Sequence, residues 1–232
     1  MTPSGMIQPG TNGLLDHIEI ATGDNPQAAI IWMHGLGATA HDFVPAVHDL
    51  DLSGLPAIRF IFPQAPHMPV TLNSGYAMPA WFDLKSMDFL RGEDEAGLCA
   101  SQRRIEALIE REKARGIPAA RIVLAGFSQG SVMTFQTGLR HPERLAGLLC
   151  LSGWVALADR LPAERSAAAQ ATPIFMAHGT YDNVVPFRLA ERSRDLLTGL
   201  GYEVEWHAYE MPHAVHPDEY VDVSAWLKKV LG

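Results

Sequence analysis

Arg121-Ile-Val-Leu-Ala-Gly-Phe-Ser-Gln-Gly-Ser-Val-Met-Thr-Phe-Gln-Thr-Gly-Leu139 decides the fold class of this chain. Arg121 to Ala125 is an apolar, β-branched run and reads as a buried strand. Ser131 to Leu139 is apolar and reads as a helix. Between them Gly126-Phe-Ser-Gln-Gly130 leaves room only for a sharp turn with Ser128 at its tip. Such a turn projects the serine Oγ away from the backbone. Its flanking residues are glycines because side chains would clash there.

Strands and helices alternate on either side of this unit. Leu15 to Ala21 alternates apolar and polar residues, as a half-exposed edge strand does. Ala28 to Met33, Leu145 to Leu151 and Pro173 to Ala177 are continuous apolar runs, and Ile58 to Phe62 is another but for Arg59, as expected of strands buried on both faces. Glu203 to Ala208 alternates again and reads as lying nearer an edge. Glu95 to Arg115 places Leu98, Ile105, Leu108 and Ile109 on one helical face and is ended by Gly116-Ile-Pro118. Phe187 to Leu200 and Pro217 to Leu231 are two further helices. This rhythm predicts an α/β fold with an open, mostly parallel sheet and helices on both faces. Sites in such folds lie beyond the C-terminal ends of the strands.

Two segments depart from the rhythm. Residues 1–13 hold Pro, Gly, Ser, Thr, Asn and Gln and read as a flexible N-terminal segment. Residues 63–95, with prolines at 63, 66, 69 and 79, show no period. They read as an irregular excursion over the active-site end. The 232 residues fit a single domain, and 47% apolar content supports a sizeable core. A net charge of −8 without clustered Lys or Arg disfavours nucleic acid and anionic membranes as partners. No signal peptide or membrane-spanning run is visible, so a cytoplasmic protein without stable membrane insertion is expected. Cys150 reads as a buried core thiol and Cys99 as structural; the two form no metal-binding spacing.

A serine hydroxyl is a weak nucleophile and needs a base, which in turn needs an orienting acid. In doubly wound hydrolases these follow in the order Ser, Asp or Glu, His. Asp182 lies in the loop after Pro173 to Ala177, and His213 lies just past the strand ending at Ala208. All three thus fall at strand C-terminal ends. Asp182 sits in a turn-like Asp-Asn pair, where a loop-capping Asp is the competing but lesser reading. His216 competes with His213 but abuts Pro217 at a helix entry, where capping suits it. The two histidines lack a third ligand in a metal-binding pattern, so no metal is expected. Two N–H donors should hold the developing oxyanion, each worth roughly 3 kcal/mol of barrier height. Gln129, at the start of the helix, supplies one. Leu36, in His34-Gly-Leu-Gly37 after an early strand, supplies the other.

Taken with Thr71-Leu-Asn73, Ala80-Trp-Phe-Asp83 and His178-Gly-Thr-Tyr-Asp-Asn-Val-Val-Pro186, these motifs resemble the phospholipase/carboxylesterase family of α/β-hydrolases. That family contains small bacterial carboxylesterases and eukaryotic acyl-protein thioesterases. The resemblance spans residues 14 to 231. It implies an α/β-hydrolase fold without a large cap domain and hydrolysis of small-molecule acyl esters or thioesters without a cofactor. Carried over by motif, Ser128, Asp182 and His213 form the triad, and Leu36 and Gln129 give the oxyanion donors. Leu72 and Trp81 are expected to line the acyl pocket, with Val184 and Val185 on the opposite wall. Asp83 is expected to anchor the excursion. The chain departs from the family pattern at Ser131, where a glycine is more familiar, and at Pro212 before the histidine. A carboxylesterase for short-to-medium acyl groups is the first reading, and a thioesterase or lysophospholipase for long chains is the alternative. A peptidase of the same fold would need a further domain to grip its substrate. A non-enzymatic module would not keep every position filled. Aromatics on the excursion would suit a homodimer.

Overall fold

The computed structural model describes residues 6–11, 13–89 and 91–232. Its elements follow in the order β1 (His17–Ala21), β2 (Ala28–Met33), α1 (Ala46–Asp49), β3 (Ile58–Pro63), β4 (His67–Val70), β5 (Tyr76–Pro79), α2 (Glu95–Ala114), β6 (Ile122–Phe127), α3 (Gln129–Gly138), β7 (Gly147–Leu151), α4 (Leu161–Glu164), β8 (Ile174–Gly179), α5 (Phe187–Gly199), β9 (Val204–Tyr209) and α6 (Pro217–Leu231). One sheet has the order β1-β3-β2-β6-β7-β8-β9. Only β1 runs antiparallel to its neighbour; the other pairs are parallel. The two alternating segments, β1 and β9, lie at the edges, as their patterns predict.

Helices cover both faces. Ala29, Ile31 and Met33 of β2 enter the core beneath α2, α3 and α5, whereas Ala28, Ile30 and Trp32 enter the one beneath α1 and α6. The inner strands are therefore apolar at nearly every position, Arg59 of β3 and His178 of β8 apart, which is why they read as nearly unbroken runs. Burying one such side chain stabilises the fold by about 1.5–3 kcal/mol. Cys150 belongs to this interior, and burial pushes its thiol pKa well up. The chain passes from β2 to β3 on one side and returns through α2 to β6 on the other. The order reverses between β2 and β6, and a crevice opens there beyond the strand ends. The loops bearing Leu36 and Ser128 both leave the sheet at this point. Among the described residues no helix is long and apolar enough to cross a membrane.

Two segments differ from expectation. Of residues 1–13, positions 1–5 and 12 lie outside the described residues. Gln8, however, pairs with His17 through backbone bonds of 2.7 and 3.1 Å, so the segment is not free throughout. The excursion 63–95 is not wholly irregular either: β4 and β5 form an antiparallel hairpin. Each strand has four residues and carries a proline, which a two-stranded ribbon made only of edges tolerates, so no period shows in the sequence. Asp83 anchors the connection between these strands by accepting the Thr71 N–H at 2.7 Å and its O–H at 2.6 Å.

A charged cluster pins α2 to the β1–β3 edge. Glu19 accepts from Arg115 at 2.7 and 2.8 Å and from Arg111 at 2.9 Å. The buried Glu112 takes Arg59 at 2.6 Å. Burial alone would raise the Glu19 pKa. The hydrogen bond from Arg115 and the charges of Arg115, Arg111 and Arg59 outweigh it and hold the carboxyl at about 2. Because the folded value lies below the unfolded one of 4.5, this stabilisation is present above pH 4.5 and lost as pH falls towards about 2. Glu19→Gln should lower Tm at pH 7, and melting curves of both proteins should converge over that window. A difference constant with pH would assign the effect to packing instead of charge.

Candidate active site

Ser128 sits at φ 55°, ψ −119°, between the end of β6 and the start of α3. A non-glycine residue there stores backbone strain of order 1–3 kcal/mol, and its surroundings hold it in place. Its N–H donates to the Leu151 carbonyl at 2.9 Å, and its carbonyl accepts the Val132 N–H at 3.1 Å. Both glycines of the motif are required. A Cβ on Gly126 would lie 2.2 Å from the Gly130 carbonyl, and one on Gly130 would lie 2.2 Å from the Met33 carbonyl oxygen. Ser131 does not crowd the helix start, because it packs against Gly153, where a Cβ would come within 2.4 Å of its Oγ.

Three loops converge on this turn. His213 Nε2 is 2.9 Å from Ser128 Oγ, and His213 Nδ1 is 2.6 Å from Asp182 Oδ2. Asp182 Oδ1 accepts the N–H groups of Val184 and Val185, both at 2.8 Å. Burial alone would raise the Asp182 pKa. Hydrogen bonds from His178, His213 and the Val185 amide win and hold the carboxyl well below the usual carboxylate range. His178 is fully buried and shares its Nε2–H between the Val185 carbonyl at 2.9 Å and Asp182 Oδ2 at 3.3 Å. Its signal in the sequence was the motif spacing it shares with Asp182. Pro212 does not displace the histidine, since the Pro212 carbonyl accepts the Ala214 N–H at 2.9 Å in a tight turn. His216 instead caps α6, accepting the Asp218 N–H at 3.2 Å.

Leu36 and Gln129 both border the cavity above Ser128. Gln129 opens α3, where the first N–H groups have no intrahelical acceptor. His34 holds the Leu36 loop: Nδ1–H donates to the Gly35 carbonyl at 2.7 Å, and Nε2 accepts the Ala65 N–H at 3.1 Å. Burial pushes its pKa down, against the opposing pull of the Gly35 carbonyl. The neutral ring suits both bonds.

Trp81 does not line the cavity, contrary to expectation. Its indole is buried and donates Nε1–H to the His34 carbonyl at 2.8 Å. Its backbone N–H donates to Gln129 Oε1 at 2.8 Å, while Gln129 Nε2 donates to the Phe82 carbonyl at 2.7 Å. Trp81 therefore clamps the Leu36 loop to α3. Leu72, Val184 and Val185 do line the cavity, which measures about 540 Å³. Other apolar walls come from Met87, Phe89, Trp154, Phe43 and Phe127, none of which the sequence reading singled out. Phe127 is the variable position of the serine motif, so the motif itself carried no signal for it. Among the described residues Glu110, His141 and Glu143 bring potential metal-ligand atoms within 4.8 Å of one another. Lys113 pairs with both of these carboxylates.

Residues 15–231 match the Phospholipase/Carboxylesterase family. An acyl-protein thioesterase 1 of Cryptococcus neoformans var. neoformans is 36% identical, over 94% of this chain and 98% of that protein. The crystal structure of Arabidopsis thaliana SOBER1 superposes with a TM-score of 0.83 at 31% identity, covering 88% of this chain and 99% of that one. That of Zea mays acyl-protein thioesterase 2 gives 0.79 at 28% identity, with 92% and 99% covered.

The clamp generates a test. Trp81→Phe keeps an aromatic ring but leaves the buried His34 carbonyl without its donor. Urea unfolding should show a loss of about 1–3 kcal/mol. Unchanged stability would show that the indole bond does not hold the loop.

Proposed function

The chain belongs to the phospholipase/carboxylesterase family, and from that premise we propose that it is a serine carboxylesterase. It hydrolyses carboxylic esters, and thioesters by the same chemistry, through an acyl-serine intermediate. The observation that carries this reading is the unbroken chain of contacts from Ser128 Oγ to His213 (2.9 Å) to Asp182 (2.6 Å) at an apolar cavity.

His213 Nε2 takes the Ser128 proton as Oγ attacks the acyl carbonyl. The Leu36 and Gln129 N–H groups hold the resulting oxyanion; each such donor is worth roughly 3 kcal/mol of barrier height. Asp182 remains ionised throughout. It accepts His213 Nδ1–H, which fixes the tautomer and stabilises the imidazolium. The imidazolium then protonates the leaving alcohol or thiol. Water, activated by the same ring, releases the acid. No cofactor takes part, and one domain carries the whole scheme.

Short-to-medium acyl groups are the first substrate class. A second reading, a thioesterase or lysophospholipase for long acyl chains, draws support from the apolar surface of Leu72, Met87, Phe89 and Trp154 and from the thioesterase relatives. Each further methylene buried there contributes about 0.8 kcal/mol. A series of esters and thioesters of rising acyl length separates the two, with kcat/KM as the readout. A maximum at short chains with esters favoured supports the first reading; a rise to long chains with thioesters favoured supports the second. Ser128→Ala should lose about 10⁴-fold or more in kcat and all covalent trapping by an organophosphonate. Retained turnover in that variant would overturn the assignment.

A further inference from the structure

A leaving-group subsite rests on the acyl-serine scheme, in which His213 Nε2 hands its proton to the departing oxygen or sulfur. The leaving group must therefore lie against the His213 side of the cavity. Phe127, whose ring centroid is 4.7 Å from that of His213, forms this side, and Phe43 follows at 5.8 Å from Phe127. Phe43 is held from behind by a stacked contact with Trp32 at 5.1 Å. Tyr220 and Asp42 line the same cavity. Asp42 Oδ1 accepts the N–H and O–H of Thr39 at 3.1 and 3.0 Å, which fixes the carboxylate in its turn. Its Oδ2 takes no hydrogen bond among the described residues. No Lys or Arg lines the cavity among those residues.

We propose that Asp42, with Phe43 and Tyr220, forms a leaving-group subsite that takes a cation: an ammonium group borne on the alcohol or thiol of the substrate. Aromatic faces attract a cation within about 6 Å of the ring, and Asp42 supplies a full negative charge. The ammonium is untouched in the reaction. The bond from Ser128 Oγ to the acyl carbon forms and the acyl C–O or C–S bond breaks. The leaving atom keeps the electron pair and takes the His213 proton. A polyanionic leaving group meets the same carboxylate with no lining cation to offset it and is discriminated against.

Three esters of one acyl group, of the length favoured in the chain-length series, test this. Their alcohols are choline, its uncharged isostere 3,3-dimethylbutanol, and one of similar size carrying a carboxylate. At low salt kcat/KM should fall in that order, by about fivefold per step, the effect of one charge pair in a water-like dielectric. The spread should shrink in about 0.5 M salt. Asp42→Asn should bring the choline-to-neutral ratio towards one. A wild-type ratio near one, or a ratio unmoved by both salt and Asp42→Asn, overturns the subsite. Failure to hydrolyse any of the three, with no organophosphonate trapping, overturns the acyl-serine reading instead.

Discussion

Gly130 lies so close to the end of β2 that any side chain on it would strike the Met33 carbonyl. That backbone-to-backbone approach seats the first turn of α3 on the loop that follows β2. It brings two chain segments, separated by nearly one hundred residues in the sequence, to the point where the strand order reverses. The positive φ of Ser128 follows from the same approach, because the chain must leave β6 and enter α3 with Ser128 alone to make the bend. Asp182 and His213 need only lie a few residues past their own strands to reach the serine, and the parallel sheet places them there.

Polar bonds then fix what packing alone leaves loose. The Gln129 side chain bridges the Trp81 amide and the Phe82 carbonyl. Ser101 of α2 donates to the Trp81 carbonyl at 2.5 Å, and the Trp81 indole reaches His34. One tryptophan thus joins α2, α3, the excursion and the loop after β2. A buried polar group without such a partner costs about 1–3 kcal/mol, so each member of this set depends on the others being present.

Much of this arrangement was legible in the sequence, for definite reasons. The inner strands read clearly because burial on both faces leaves them almost wholly apolar, Arg59 and His178 being the exceptions. The convergence of Ser128, Asp182 and His213 was legible because each follows a recognisable strand. The β4–β5 hairpin did not, since four-residue strands containing proline carry no usable period. Trp81 was misassigned because an indole in an apolar segment suits a pocket wall as well as a buried donor, and only its Nε1–H contact separates the two. Phe43 and Asp42 lie in a turn whose composition resembles any surface loop. Their place on the wall of the cavity that Ser128 and His213 border arises from the sheet order, which no local pattern records.

The walls of the cavity and the hydrogen-bonded set of Ser128, His213 and Asp182 come from different parts of the chain. Leu72, Met87 and Phe89 lie on the excursion, which is fastened through Asp83 and Thr71 and through backbone groups of residues 81 and 82. Phe43 and Asp42 lie on another loop, and the serine, histidine and acid lie on three more. Side chains on the excursion can therefore vary while its fastenings stay, so the shape of the cavity can drift among descendants of this chain without moving Ser128, His213 or Asp182.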